Sequence, residues 1–155
     1  MSSDPIRLRR SLAGFAPSIS APPDVVLMPL WQAKPIALHR LLQLAYAGGG
    51  GTVGSFEHWW WPLVEDSEFD PALVLIAADA TGTLVGLAQC WTSGFLKDLV
   101  VAPDARNRQI GSWLLDTIFA AFAARGAPHI DLKVEGDNAA AQRFYARHGM
   151  VAVEI

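Results

Sequence analysis

The chain has 155 residues, 52% of them hydrophobic and 17% charged, with a net charge of −3 and an isoelectric point near 5.7. That length suits one well-sheltered core, and an apolar-rich, charge-poor composition excludes a largely disordered chain. The mildly acidic balance gives no broad basic footprint for nucleic acid, and no segment reaches the roughly twenty consecutive apolar residues that span a bilayer.

The single cysteine, Cys90, has no partner for an internal disulfide, and no Cys/His spacing suggests zinc. The expected compartment is therefore a reducing cytoplasm, and no metal is expected. Arg7, Arg9 and Arg10 stand ahead of Leu12–Ile19 in the manner of a secretion signal, but Gly14 and Pro17 interrupt the apolar stretch. Residues 1–23 read as an extended lead-in ending in Ala21-Pro22-Pro23, and residues 24–155 as a single domain.

Asp24–Met28 predicts a first strand. Pro35 suits a first helical turn, and Ile36, Leu38, Leu41, Leu42 and Ala45 recur at helical spacing up to Tyr46, where Gly48-Gly49-Gly50-Gly51 ends the helix. Ser55 predicts the N-cap of a short helix over Phe56–Trp61 that stops or kinks at Pro62. Its three consecutive tryptophans cannot all face inward, so at least one meets substrate, a partner or solvent. Ala72–Ala78 and Leu84–Trp91 predict strands around a turn at Asp79–Thr83, and Phe95–Val101 a third.

Beyond Pro103, Ile110, Trp113, Leu114, Ile118, Ala121 and Phe122 form one apolar helical stripe that ends near Arg125-Gly126. His129–Val134 predicts a strand. Asp137 or Asn138 caps a helix running to about His148, Gly149 stops it, and Val151–Ile155 is strand-like.

The run Asp98 to Leu115 reads as strand, polar loop and helix. Such a loop aims backbone N–H groups and the positive helix end at one spot, a seat for a pyrophosphate, with Arg106 and Arg108 adding charge. By itself this is weak, since both arginines also read as solvated surface charge. A second element follows a strand at the right distance: Asn138, Ala141, Phe144, Tyr145, Gly149 and Met150. Together the two segments resemble the GNAT superfamily of acyl-CoA-dependent N-acyltransferases, whose hallmarks are an Arg-x-x-Gly-x-Gly-like phosphate loop and a later Asn-x-x-Ala-x-x-Phe-Tyr-x-x-x-Gly-Phe signature. The close resemblance covers about residues 95–151.

The resemblance implies an α/β (α+β) fold, with a mixed, mostly antiparallel central sheet flanked by helices. It also implies one more strand than follows Val151–Ile155, and Pro5–Arg10, with Ile6 and Leu8 alternating against charge, is expected to fill that gap unless a second subunit does. Asn107 and Gln109 replace frequent glycines while Gly111 is kept, and Gln109 is expected to crowd the phosphate unless it points away.

In function, the resemblance implies acetyl transfer from acetyl-CoA to a primary amine by direct attack, without a covalent enzyme intermediate. Leu99, Val100, Val101, Arg106, Asn107, Arg108, Gln109, Ile110, Gly111, Ser112, Asn138 and Phe144 would hold the co-substrate, with backbone N–H groups around Val100 and Val101 polarising the thioester. Tyr145 would protonate the departing thiolate; it also reads as a helix tyrosine at the edge of the core, as Asn138 reads as a cap. Asp98 is the first candidate base, with Glu57 and His58 weaker ones. Tyr46, the glycine loop and Phe56–Trp61 would line the acceptor pocket, and Glu65, Asp66, Glu68 and Asp70 would draw in a cation unless they form an ordinary solvated loop. A small-molecule amine is the expected acceptor and a protein amine the alternative; a homodimer is compatible with the aromatic surface. The competing reading is a GNAT-like acyl-CoA sensor or interaction module with little catalysis.

Overall fold

The computed structural model describes residues 4–154. Seven strands form one sheet: β1 (Ile6–Ser11), β2 (Val26–Met28), β3 (Val74–Ala78), β4 (Leu84–Trp91), β5 (Phe95–Val101), β6 (His129–Val134) and β7 (Val151–Val153). Four helices flank it: α1 (Pro35–Tyr46), α2 (Phe56–Val64), α3 (Ile110–Ala124) and α4 (Ala139–Arg147). The strand order is β2-β3-β4-β5-β6-β1-β7, antiparallel throughout except for the β5–β6 pair.

The stretch read as a lead-in thus contributes a strand from the interior of the sheet. Leu8 packs opposite Leu132 on β6 and Ala152 on β7, so β1 supplies the expected extra strand, but between β6 and β7 rather than beyond β7, which itself forms that edge of the sheet. Buried Asp131 on β6 accepts from Arg7 Nε and Arg9 Nε, each at 2.7 Å, and the Arg9 guanidinium holds its carboxyl below the usual range despite burial. Farther along, Asp116 on α3 accepts from the Ser18 and Ile19 amides, which ties the connection to β2 onto the helix.

Alternation divides the core between the two faces. Gly86 on β4 abuts α3 so closely that a Cβ there would stand 2.9 Å from Leu114 Cδ1, whereas its neighbour Leu87 points to Leu38, Trp59 and Leu63 of α1 and α2. α2 continues through Pro62 to Val64, two residues beyond the expected break. Proline forfeits only one backbone bond so near a helix end, and buried Leu63 anchors the last turn. Ser55 occupies the cap position, but its hydroxyl bonds His58 Nδ1 at 2.7 Å rather than a backbone amide. Of the three tryptophans Trp59 is buried, Trp60 half-buried and Trp61 53% exposed.

β3 begins at Val74, because Pro71–Leu73 form a 3₁₀ turn capped by Asp70. β7 ends at Val153, and Ile155, the end of the expected last strand, lies outside the described residues.

Candidate active site

The sheet opens where the chain turns toward α3. β5 and β6 run parallel but pair only at Phe95 and Asp131, and beyond that point they diverge. Ala102 N donates to Val85 O at 2.8 Å, which fixes the ladder phase. Alternate residues of an antiparallel strand bond the same neighbour. Val100 and Asp98 therefore turn their N–H groups to β4, while Leu99 and Val101 turn theirs into the gap beside β6. The amides available to a bound carbonyl are those of Leu99 and Val101, one residue removed from the Val100 expectation.

A cleft of about 1010 Å³ occupies this gap, between the start of α3, α4 and the glycine loop. Leu99, Val100, Val101, Arg106, Asn107, Gln109, Ile110, Gly111, Ser112, Asn138, Phe144 and Tyr145 all line it. The first intrahelical bond of α3 runs from Trp113 N to Gln109 O, so the amides of Ile110, Gly111 and Ser112 have no partner within the helix and stand at the cleft wall. Asn107 and Gln109 both adopt left-handed backbone, with φ of 63° and 66°. The departures from glycine are thus conformational in cost, about 1–2 kcal/mol at Gln109 and less at Asn107. Gly111 has an ordinary φ, and a Cβ there would meet Phe144 and Val101 only at van der Waals distance.

Arg106 Nη2 donates to Ala45 O at 3.2 Å, joining the loop to the end of α1. Arg108 is not among the residues that line the cleft. Asn138 caps α4 through Oδ1, which accepts from Ala141 N at 3.1 Å, and its amide nitrogen remains near Gly50.

Of the proposed reactive groups, Tyr145 lines the cleft whereas Asp98 does not. Burial, followed by the charge of Asp98, pushes the Tyr145 phenol up to about 12. Asp98 is buried on the opposite sheet face, where Oδ1 accepts from Tyr46 OH at 2.5 Å and Oδ2 from Lys97 Nζ at 2.9 Å. Burial and then Asp98 raise the Tyr46 phenol far above its usual range, so it remains a hydrogen donor. Lys97 reaches Asp98 because it is the extra residue of a bulge: Gln89 pairs with Asp98 and Cys90 with Leu96, leaving Lys97 unmatched. Gln89 Nε2 donates to the Cys90 carbonyl at this register shift, and Oε1 has no partner among the described residues. Tyr46 in turn needs a glycine beside it, since a Cβ on Gly51 would lie 2.6 Å from its ring.

The acetyltransferase (GNAT) family profile matches residues 36–150, which includes every one of these groups. The chain belongs to that family. A mycothiol acetyltransferase of Clavibacter michiganensis is 41% identical over 87 residues, 54% of this chain and 28% of that protein. Another, of Beutenbergia cavernae, is 35% identical over 94 residues, 56% of this chain and 31% of that protein. This GNAT chain therefore matches under a third of the length of those curated relatives. Among solved structures, a GCN5-related N-acetyltransferase from Sphaerobacter thermophilus superposes with a TM-score of 0.79 at 23% identity, covering 96% of this chain and 48% of that one. Ard1 from Thermoplasma volcanium gives 0.67 at 18% identity, covering 84% and 85%. Both share the GNAT fold.

A second pocket of about 300 Å³ lies against Asp98 and Lys97 on the α2 side, with His58, Trp59, Asp66 and Trp91 in its walls. The acidic run expected to attract a cation is mostly spent on local structure. Asp66 accepts from Glu68 N, Glu68 Oε1 from Ser93 N, and Asp70 from both Ala72 N and Arg125. Glu57 is exposed on α2. Sequence reasoning missed Tyr46 as the donor to Asp98 and missed Gln89 altogether: the first contact spans 52 positions, and the second depends on a register shift that no local pattern announces. Among the described residues no group of three or more His, Cys, Asp or Glu side chains is arranged to hold a metal, and no helix is long and apolar enough to cross a membrane.

Proposed function

We propose that this chain transfers an acetyl group from acetyl-CoA to a primary amine of a small molecule. The observation that carries the reading is the juxtaposition, in one cleft, of the inward amides of Leu99 and Val101, the open amides at the start of α3, and Tyr145. Ile110, Gly111 and Ser112 would receive the pyrophosphate, with Arg106 at the rim adding charge; Leu99 and Val101 would hold the pantetheine arm and polarise the carbonyl. Acetyl-CoA, when bound, supplies a thioester carbon that the amine attacks, the C–N bond forming as the C–S bond breaks.

The protein then handles two protons. Asp98, held by Tyr46 and Lys97, would accept the proton that the attacking amine loses, directly or through water. Tyr145 keeps its proton throughout the working pH range and would donate to the leaving sulfur. Against a thiol near about 8.5, complete transfer from a phenol near 12 is uphill by about 3.5 units, so Tyr145 would stabilise the leaving thiolate through a hydrogen bond, and the one proton that the amine gives to Asp98 would pass through water to the sulfur. Cys90 takes no part, because burial raises its thiol far above the usual range and it is not exposed to the cleft.

The two mycothiol acetyltransferases support a small-molecule acceptor, as does a pocket beside Asp98 of only about 300 Å³. The expected compartment is the cytoplasm. Release of free thiol from acetyl-CoA across a panel of primary amines tests the reading: amine-dependent release is expected, whereas tight acetyl-CoA binding without release in any amine would favour a sensor.

A further inference from the structure

The gap between β5 and β6 has a second mouth, a pocket of about 160 Å³ between Lys97 and Leu99 of β5 and Leu132 and Lys133 of β6. Tyr46, Leu99, Glu135, Asn138 and Tyr145 line both this pocket and the main cleft, so it leads directly to the reacting end. One lysine stands on each lip: Lys97 on β5 and Lys133 on β6. Ile130, Leu132 and Val134 are buried toward α3, so alternation sends Asp131 and Lys133 to the opposite face, where Arg7 lies opposite Lys133 in the β1 register. Arg7 and Arg9 share the single carboxylate of Asp131, Lys97 is paired with Asp98, and exposed Lys133 has no ion-pair or hydrogen-bond partner among the described residues. Among the described residues, Glu135 is the one carboxylate in the pocket wall. The α2-side pocket shares Lys97, so an acceptor entering by either route passes that cation.

We infer that the acceptor amine carries an anionic group, a carboxylate or a phosphate, which Lys133 receives with Arg7 and Lys97 beside it. This rests on the transferase reading above. The same cations disfavour a polyamine or a lysine-rich peptide, so they select in both directions.

The test uses the full chain and four probes that share a short aminoalkyl body: β-alanine, O-phosphoethanolamine, ethanolamine and 1,3-diaminopropane. Each is titrated calorimetrically into the chain with CoA present, and each is assayed with acetyl-CoA by thiol release. One of the two anionic probes is expected to bind about tenfold more tightly than ethanolamine, and which one it is separates carboxylate from phosphate. Lys133→Gln is expected to remove most of that preference and Lys133→Arg to keep it. Equal binding of all four probes, a preference for 1,3-diaminopropane, or an unchanged preference in a folded Lys133→Gln chain would overturn the inference. If the anionic preference and its loss in Lys133→Gln hold but no thiol is released, the anion site stands and the transferase reading falls.

Discussion

The two sides of the cleft are built from different materials. On the α3–α4 side the groups facing the gap are mainly backbone: three helix-start amides, and the Leu99 and Val101 amides freed where β5 leaves β6. On the α1–α2 side they are side chains drawn from distant segments, with Tyr46, Lys97, Asp98 and Gln89 gathered around one bulge. Backbone donors serve any ligand bearing a pyrophosphate and a thioester, and their position follows from fold geometry. On the proposed reading the side chains would set which amine can react, and they depend on contacts that alter with a few substitutions. If the proposed function holds, co-substrate and acceptor contacts are separable in this chain, and mutations on the two sides are expected to move different constants.

The largest expected effect is on turnover. Tyr145→Phe removes the donor to the leaving sulfur and is expected to lower kcat by about 10²–10³ while acetyl-CoA affinity stays within about twofold. The sign of its pH dependence follows from the raised phenol: the protonated form persists below about 12, so the rate of the unaltered chain shows no loss from this group up to pH 10. A parallel fall in acetyl-CoA affinity, measured calorimetrically, would instead make Tyr145 a packing residue. Next comes the arginine pair. Arg106→Ala is expected to weaken acetyl-CoA binding about tenfold, whereas Arg108→Ala, outside the cleft lining, should leave it unchanged. Equal losses in the two variants would break the assignment of the loop. The smallest effect concerns backbone strain. Gln109→Gly is expected to stabilise the chain by up to about 1 kcal/mol in denaturant unfolding, since glycine accepts the left-handed conformation freely.

Much of the α3–α4 side could be read from sequence because its signals are local. The apolar stripe from Ile110 to Phe122 follows one helix, Asn138 caps the next, and the residues between β5 and α3 are contiguous. Their left-handed conformations at Asn107 and Gln109 were half legible, since the positions stand where glycine is frequent but side chains occupy them. For Arg106 and Arg108 the sequence left two readings, phosphate contact or solvated surface charge, and only Arg106 lines the cleft, because charge in a loop does not reveal direction. The α1–α2 side was less legible. Pro62 looked like a terminator, yet a buried Leu63 outweighed one lost backbone bond. The acidic run after α2 read as either an attractor for cations or an ordinary solvated loop, and amides and Arg125 consume most of it. β1 lay between these cases: its alternation was visible, whereas its seat between β6 and β7 depended on the whole sheet.

The central claim is that the β5–β6 gap receives acetyl-CoA through backbone amides, and calorimetric titration of the full chain with acetyl-CoA tests it most directly. One site per chain is expected, with affinity weakened in Arg106→Ala and retained in Tyr145→Phe. The absence of binding by the folded chain would contradict the account, leaving a GNAT fold whose cleft serves some other ligand.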